Sequence, residues 1–215
     1  MFQVTQVGSW PRSRDLLQVL RAFQKKEISS EKFSQVADVE VRKCLDYQIR
    51  AGVDIVVDGE LRRDNFYSFI TDKLDGTRLM SLAEMLDVVE DKSGFEEMLQ
   101  TLDVPASAIR NPTCTGKLSQ RQPFALEDYL FVREYTDKPV KVTLPGPYLL
   151  TRAMWVNDFS AAAYQDKMAM GGDIVRLLHD EVIALRDAGC TFVQFDEPVL
   201  TEVVFSGENN RRTFM

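Results

Sequence analysis

Short β-branched runs that follow helical segments and end in acidic residues constrain the fold of this sequence most. Residues 53–57 read VDIVV and lead into Asp58-Gly59-Glu60, and residues 191–195 read TFVQF and lead into Asp196-Glu197. A short continuous apolar run is typical of a strand buried on both faces, as in a parallel sheet. We therefore expect an α/β fold in which carboxylates collect at the carboxyl ends of parallel strands.

The rest of the chain continues this alternation of strands and helices. Apolar residues recur at helical spacing in two stretches before Gly52, and Gly189 is a suitable residue to end a long helix. Ser81 and Glu84 have the spacing of a helix capping box. The further predicted elements are strands over 2–7, 112–118 and 140–144, helices over 124–135 and 160–188 with an interruption at Gly171-Gly172, and a helical excursion over about 61–111.

The length favours a single domain. No linker or internal repeat divides the 215 residues, so we expect one domain over 1–215. Polar residues at strand ends fit either an open doubly wound sheet or a (β/α)8 barrel. Because the GxGxxG and P-loop patterns are absent, the barrel is favoured, and five predicted strands make this chain about the first five βα units of it.

Composition excludes several classes of partner and site. The formal net charge of −7 argues against nucleic acid, and the absence of a long apolar run or leader-like start predicts a cytoplasmic protein without a membrane partner. The three cysteines, Cys44, Cys114 and Cys190, are too far apart for a zinc knuckle. His179, the single histidine, is expected on a helix surface.

Glu60 and Asp196 are the candidate catalytic carboxylates. Grouped carboxylates at one sheet edge could bind a substrate ammonium group, hold a metal, or act as acid and base. The competing interpretation is that any one of these acidic residues only caps a helix. Spacing alone does not separate these alternatives.

Three motifs together resemble the cobalamin-independent methionine synthase family, specifically its catalytic carboxy-terminal barrel. They are Val7-Gly8-Ser9-Trp10-Pro11, Asp58-Gly59-Glu60 with Arg63-Asp64-Asn65, and Gln194-Phe195-Asp196-Glu197-Pro198. The resemblance implies transfer of a methyl group from 5-methyltetrahydrofolate, usually polyglutamylated, to the thiol of homocysteine, which forms methionine.

The resemblance also implies roles for individual residues. Val7, Gly8 and Ser9 match the loop that holds the homocysteine carboxylate, and Glu60 and Asp196 match the carboxylates that bind its amino group. Glu202 is similar to a glutamate at the folate side of the pocket. Trp155 lies at a different offset from the family's tryptophan, so no pterin-stacking role is assigned to it.

Zinc is the cofactor that the family implies, since it binds the substrate sulfur there. The family's ligands, a His-x-Cys pair, a glutamate and another cysteine, follow the strand that carries Asp196, and this sequence contains none of them. We therefore assign no metal ligand in this chain.

Two alternatives stay open at this point. The chain could be a non-catalytic barrel fragment that associates with itself or with a completing polypeptide, because an unfinished barrel exposes strand edges. A related barrel could act on another thiol, or as a decarboxylase like the uroporphyrinogen decarboxylases, with Asp196 and Glu60 as acid and base.

Overall fold

The computed structural model describes residues 2–81, 84, 110–198 and 200. A short 3₁₀ helix, Ser68–Lys73, precedes the first strand. The helices are α1 (Arg14–Gln24), α2 (Ser30–Arg50), α3 (Leu126–Tyr135), α4 (Pro147–Met154), α5 (Asn157–Ser160) and α6 (Lys167–Asp187), and the strands are β1 (Leu74–Ser81), β2 (Arg110–Gln120), β3 (Lys141–Pro145) and β4 (Phe192–Asp196).

The chain forms two compact units, which are described separately below. Unit 1 comprises Met1–Phe66, Phe124–Leu144 and Glu181–Gln194, and unit 2 comprises Tyr67–Pro123, Pro145–Asp180 and Phe195–Met215. None of the helices in the described residues is long and apolar enough to cross a membrane.

Helices α1 and α2 pack together in unit 1, as their apolar spacing predicts. Ser13 accepts the backbone N–H of Leu16 at 3.1 Å, which satisfies one of the donors that every helix start leaves unpaired. Ser29 caps α2 in the same way. The rings of Phe23 and Phe33 stack with their centroids 4.8 Å apart and join the two helices.

The predicted strands over 2–7 and 53–57 are reduced to single parallel bridges. Thr5 bridges Ile55, and Val56 bridges Val140. Side chains take the place of further ladder bonds, because the amide of Gln48 accepts the Val57 N–H at 2.9 Å and donates to the Val57 carbonyl at 2.8 Å. A backbone pair satisfied by a side chain no longer needs a strand neighbour.

Strands β3 and β4 form a two-stranded sheet, at the positions where the sequence predicts strands. Every residue of β3 is buried, including the polar Lys141 and Thr143. The predicted helix that precedes β3 is also confirmed as α3. Its first turn is held by Glu181, whose carboxylate accepts the backbone N–H groups of Phe124, Ala125 and Leu126 at 2.7 to 3.0 Å.

The described residues of unit 2 differ from the sequence prediction in two respects: part of the helical excursion is a strand, and the third strand pairs antiparallel. Strands β1 and β2 pair antiparallel, from Leu74 with Gln120 to Ser81 with Arg110. The described part of 61–111 therefore contains a strand, which its polar sequence LDGTRLMS conceals because it does not alternate. The run at 112–118 is a strand as predicted, but its partner is β1 rather than a parallel neighbour, since a local pattern carries no information about pairing.

The capping box and the long helix agree with their sequence signals in most respects. Glu84 accepts the Ser81 hydroxyl at 2.8 Å and Ser81 accepts the Glu84 N–H at 3.2 Å, while residues 85–109 of the predicted helical excursion lie outside the described residues. Helix α6 passes through Gly171-Gly172 without the predicted interruption. Gly189 follows it with a φ of +93°, as the predicted end requires.

Candidate functional site

Glu60 lies in a tight turn of unit 1 that has an unusual backbone conformation. Gly59 and Glu60 both have positive φ, +71° and +55°, and Glu60 is only 4% exposed. A left-handed conformation disfavours any residue with a Cβ atom, so the surroundings must hold Glu60 in place. Asp58 contributes by accepting the Glu60 N–H on Oδ1 at 3.0 Å.

Two arginines brace the same turn. The Nη2 of Arg12 donates to the carbonyls of Glu60 at 2.9 Å and Arg63 at 2.8 Å. Arg63, which is 3% exposed, donates to the Oγ1 and carbonyl of Thr143 at 3.2 and 2.9 Å. Thr143 in turn donates to Oε1 of Glu60 at 3.4 Å. The Glu60 carboxylate is therefore held beside strand β3.

The electrostatics of the turn are mixed. Burial lowers the pKa of Arg12 from its ordinary value, and the negative charges of Glu60, Asp64 and Asp58 oppose that change. A guanidinium group remains charged under these conditions. Glu60 thus lies in a partly desolvated environment that contains fixed positive charge, where electrostatic interactions are stronger than in water.

The loop of Val7, Gly8 and Ser9 reaches the Glu60 turn through its next residue. The Trp10 N–H donates to the Gly59 carbonyl at 2.9 Å. Gly8 has a φ of +78°, and all three loop residues are exposed. The structure therefore brings together, within unit 1, the two motifs that the sequence associates with the substrate amino acid.

Lys141 is a buried charged residue that the sequence analysis did not identify. It is 1% exposed on β3, and its Nζ donates to the carbonyl of Gln6 and to Oε1 of Gln194 at 2.8 Å. The sequence could have indicated this residue, because a lysine between the valines of a predicted buried strand, VKVTL, cannot reach water easily.

The acidic pair of the other motif lies at the start of unit 2's third segment. Glu197 accepts the N–H of Tyr148 on Oε1 at 2.7 Å and that of Leu149 on Oε2 at 2.9 Å, so it caps helix α4. Gly146 makes room for this contact, because a Cβ there would lie 2.1 Å from the Glu197 side chain. The carbonyl of Asp196 accepts the Gly146 N–H at 2.9 Å.

No group of three or more potential metal ligands occurs among residues 2–81, 84, 110–198 and 200. Cys44, Cys114 and Cys190 are all buried free thiols, and burial raises the pKa of each, for Cys44 to about 12. The side chain of His179 is 67% exposed next to Asp180, as expected of a surface histidine. These residues do not fit the family's zinc site, and Glu202 lies outside the described residues.

Comparison with known proteins gives a consistent result. The family model described as cobalamin-independent synthase, catalytic domain, matches residues 2–215. A 5-methyltetrahydropteroyltriglutamate–homocysteine methyltransferase of Thermotoga maritima is 26% identical over 205 residues, which cover 94% of this chain and 25% of that protein. A methionine synthase of Saccharolobus solfataricus is 26% identical over 93% of this chain and 54% of its own length.

Solved structures support the fold. A putative vitamin-B12 independent methionine synthase from Listeria monocytogenes superposes with a TM-score of 0.67 at 20% identity, over 99% of this chain and 58% of that one. A B12-independent methionine synthase from a Shewanella species, in complex with selenomethionine, gives 0.64 at 22% identity over 94% and 54%. The chain spans about a quarter to about half the length of the curated relatives it matches.

Proposed function

Because the chain belongs to the cobalamin-independent methionine synthase catalytic-domain family, we propose that it serves methyl transfer from 5-methyltetrahydrofolate polyglutamate to homocysteine. The relative from Thermotoga maritima is named for this substrate pair, and the relative from Saccharolobus solfataricus is named for the product. In the reaction the homocysteine thiol loses its proton and its sulfur attacks the methyl carbon. An S–CH₃ bond forms as the N5–CH₃ bond breaks, and N5, which must carry a proton to leave, takes the electron pair.

We propose that this site belongs to a (β/α)8 barrel to which the chain contributes its first strands. The support comes from unit 1, where the segments at Thr5, Ile55-Val56 and Val140 adjoin through parallel bridges in that order. The run at 112–118 takes no part in this order, because it pairs with β1. Parallel segments that adjoin in chain order are the arrangement a barrel requires.

Glu60 carries the proposal. It is a carboxylate that is 4% exposed, held at a left-handed backbone position, and tied through Gly59 and Trp10 to the loop of Val7, Gly8 and Ser9. A desolvated carboxylate of fixed position binds an ammonium group more strongly than a solvated one. We assign Glu60 to the substrate amino group and the loop, with its backbone N–H groups and the Ser9 hydroxyl, to the substrate carboxylate.

Asp196 and Glu202 complete the proposed set. Asp196 is assigned with Glu60 to the amino group, and Glu202 is assigned to the folate. The capping contacts of Glu197 support the choice of Asp196 within its acidic pair, because they engage both oxygens of the neighbouring carboxylate.

Calorimetry with the 215-residue chain tests the assignment of Glu60. We expect L-homocysteine to bind at least about 10-fold more tightly than 4-mercaptobutanoate, which has the same thiol and carboxylate but no amino group. Glu60→Gln should remove that preference, and Glu134→Gln, an exposed residue of α3, should keep it. Equal affinity of the unaltered chain for both thiols would overturn the assignment.

A binding module completed by another polypeptide is the second candidate. The two candidates differ in turnover. Methionine formed by the chain alone from triglutamyl methyltetrahydrofolate and L-homocysteine, detected by mass spectrometry, would exclude a module that needs completion.

A further inference from the structure

We infer that Asp58 is a positioning residue that holds Glu60 in its substrate-binding conformation, and this inference rests on the proposed role of Glu60. Glu60 has a Cβ atom and yet adopts a φ of +55°. Such backbone persists only where neighbouring groups over-determine it, and these positions are common in binding and catalytic sites. The groups that hold this turn are therefore part of the site's chemistry.

Hydrogen bonds from three different residues hold the turn. Asp58 Oδ1 accepts the Glu60 N–H at 3.0 Å, Arg12 Nη2 donates to the Glu60 carbonyl at 2.9 Å, and the Trp10 N–H donates to the Gly59 carbonyl at 2.9 Å. Of these, the bond from Asp58 is the only one that reaches the amide of Glu60 itself. It closes a local side-chain turn that tolerates the left-handed residue.

The cost of placing Asp58 here supports a specific role. The residue is 9% exposed, and among the described residues its Oδ2 is buried with no hydrogen-bond partner. A buried carboxylate with one oxygen unpaired is unfavourable for folding. The hydrogen bond that Oδ1 accepts from the Glu60 N–H is a contact that an apolar residue at this position could not make.

The strand before Asp58 is anchored independently. Gln48, which is 2% exposed, pairs with both backbone groups of Val57. Loss of the Asp58 side chain therefore leaves the approach to the turn in place and releases Glu60 alone. This separates positioning from general loss of structure.

The test compares Asp58→Ala with Asp58→Asn in the 215-residue chain. Asn keeps an oxygen that accepts the Glu60 N–H, whereas Ala does not. We expect Asp58→Ala to weaken L-homocysteine binding about 10-fold while 4-mercaptobutanoate binding changes less than about 2-fold, and Asp58→Asn to restore the preference. Asp166→Ala, which removes a carboxylate that accepts the Ala169 N–H in unit 2, is the matched control and should leave both affinities unchanged.

Amide hydrogen exchange of Glu60 provides a readout that needs no ligand. Exchange should accelerate at least about 10-fold in Asp58→Ala and remain slow in Asp58→Asn. If the unaltered chain shows no preference for the amine, the proposed function fails, and the exchange data still decide whether Asp58 holds the turn. Slow exchange in Asp58→Ala, or a loss in Asp58→Asn as large as in Asp58→Ala, overturns the positioning role.

Discussion

The two acidic motifs, Asp58-Gly59-Glu60 in unit 1 and Asp196-Glu197 in unit 2, look alike in sequence and differ in structure. In each, one carboxylate binds backbone N–H groups: Asp58 accepts that of Glu60, and Glu197 accepts those of Tyr148 and Leu149. The order is reversed, since the structural carboxylate comes first in one motif and second in the other. Backbone partners therefore distinguish a cap from a candidate ligand where composition does not.

The largest expected effect tests how tightly the glycine of the first motif, Gly59, is packed. A Cβ at Gly59 would lie 2.8 Å from Trp10 Cβ and 2.9 Å from Cys44 Sγ, and its φ is positive. Gly59→Ala should therefore destabilise the chain by about 3 kcal/mol through overpacking and backbone strain. Urea unfolding measures the change, with Gly172→Ala as the control, since nothing lies within 4 Å of its Cβ position and alanine in the interior of α6 should stabilise the chain by about 1 kcal/mol.

The second-largest expected effect tests the cap that Glu197 forms on helix α4. Glu197→Ala leaves the N–H groups of Tyr148 and Leu149 without their acceptor and should cost about 1 to 2 kcal/mol in urea unfolding. Glu197→Gln keeps one acceptor oxygen and should lose roughly half as much. No loss in Glu197→Ala would mean that the cap contributes nothing and that the contrast between the motifs is absent.

The titration of Cys44, whose Sγ lies beside Gly59, tests the packing around that glycine. Burial raises the pKa of Cys44 to about 12, above its unfolded value of about 8.5. The stabilisation is complete below about pH 8.5 and is lost as pH rises toward 12, because the unfolded thiol releases its proton first. Stability should fall by at most about 1.4 kcal/mol per pH unit above pH 9 from this group, and Cys44→Ser should flatten that decline.

The smallest expected effect completes the comparison. Glu60→Gln should change the free energy of unfolding by less than about 1 kcal/mol, because the amide oxygen still accepts from Thr143 and only the negative charge near Arg12 is lost. We expect the main effect of Glu60→Gln on ligand binding. A loss larger than that of Glu197→Ala would place Glu60 among the structural carboxylates and remove the distinction.

Local signals predicted most elements with short-range patterns. The serines before α1 and α2, the short run VKVTL at β3 and the glycine after α6 each specify backbone through neighbours in sequence. Strand β1 was not predicted, and β2 was expected in a parallel sheet but pairs antiparallel with β1, because pairing depends on residues far apart in the chain. The same limit explains why 53–57 forms bridges, since the side chain of Gln48 takes over the pairing of Val57.

The same distinction between local patterns and long-range contacts applies to the candidate site. Val7, Gly8, Ser9 and Glu60 were named from motifs, and the structure joins their segments through Trp10 and Gly59. Arg12, Thr143 and Lys141 were missed, because each acts through a contact of 48 or more positions along the chain. No spacing rule covers such contacts.

The sequence by itself determined the α/β class, the family and the identity of the acidic motifs, because local apolar patterns and short motifs are written in neighbouring residues. Only the tertiary structure decided which carboxylate in each motif caps a helix or closes a turn. The N–H groups of Tyr148 and Leu149 are 49 and 48 positions from Glu197, so only folding brings them to its carboxylate. The Asp58 turn is local, but its left-handed residue is held in place by the distant Arg12 and Trp10.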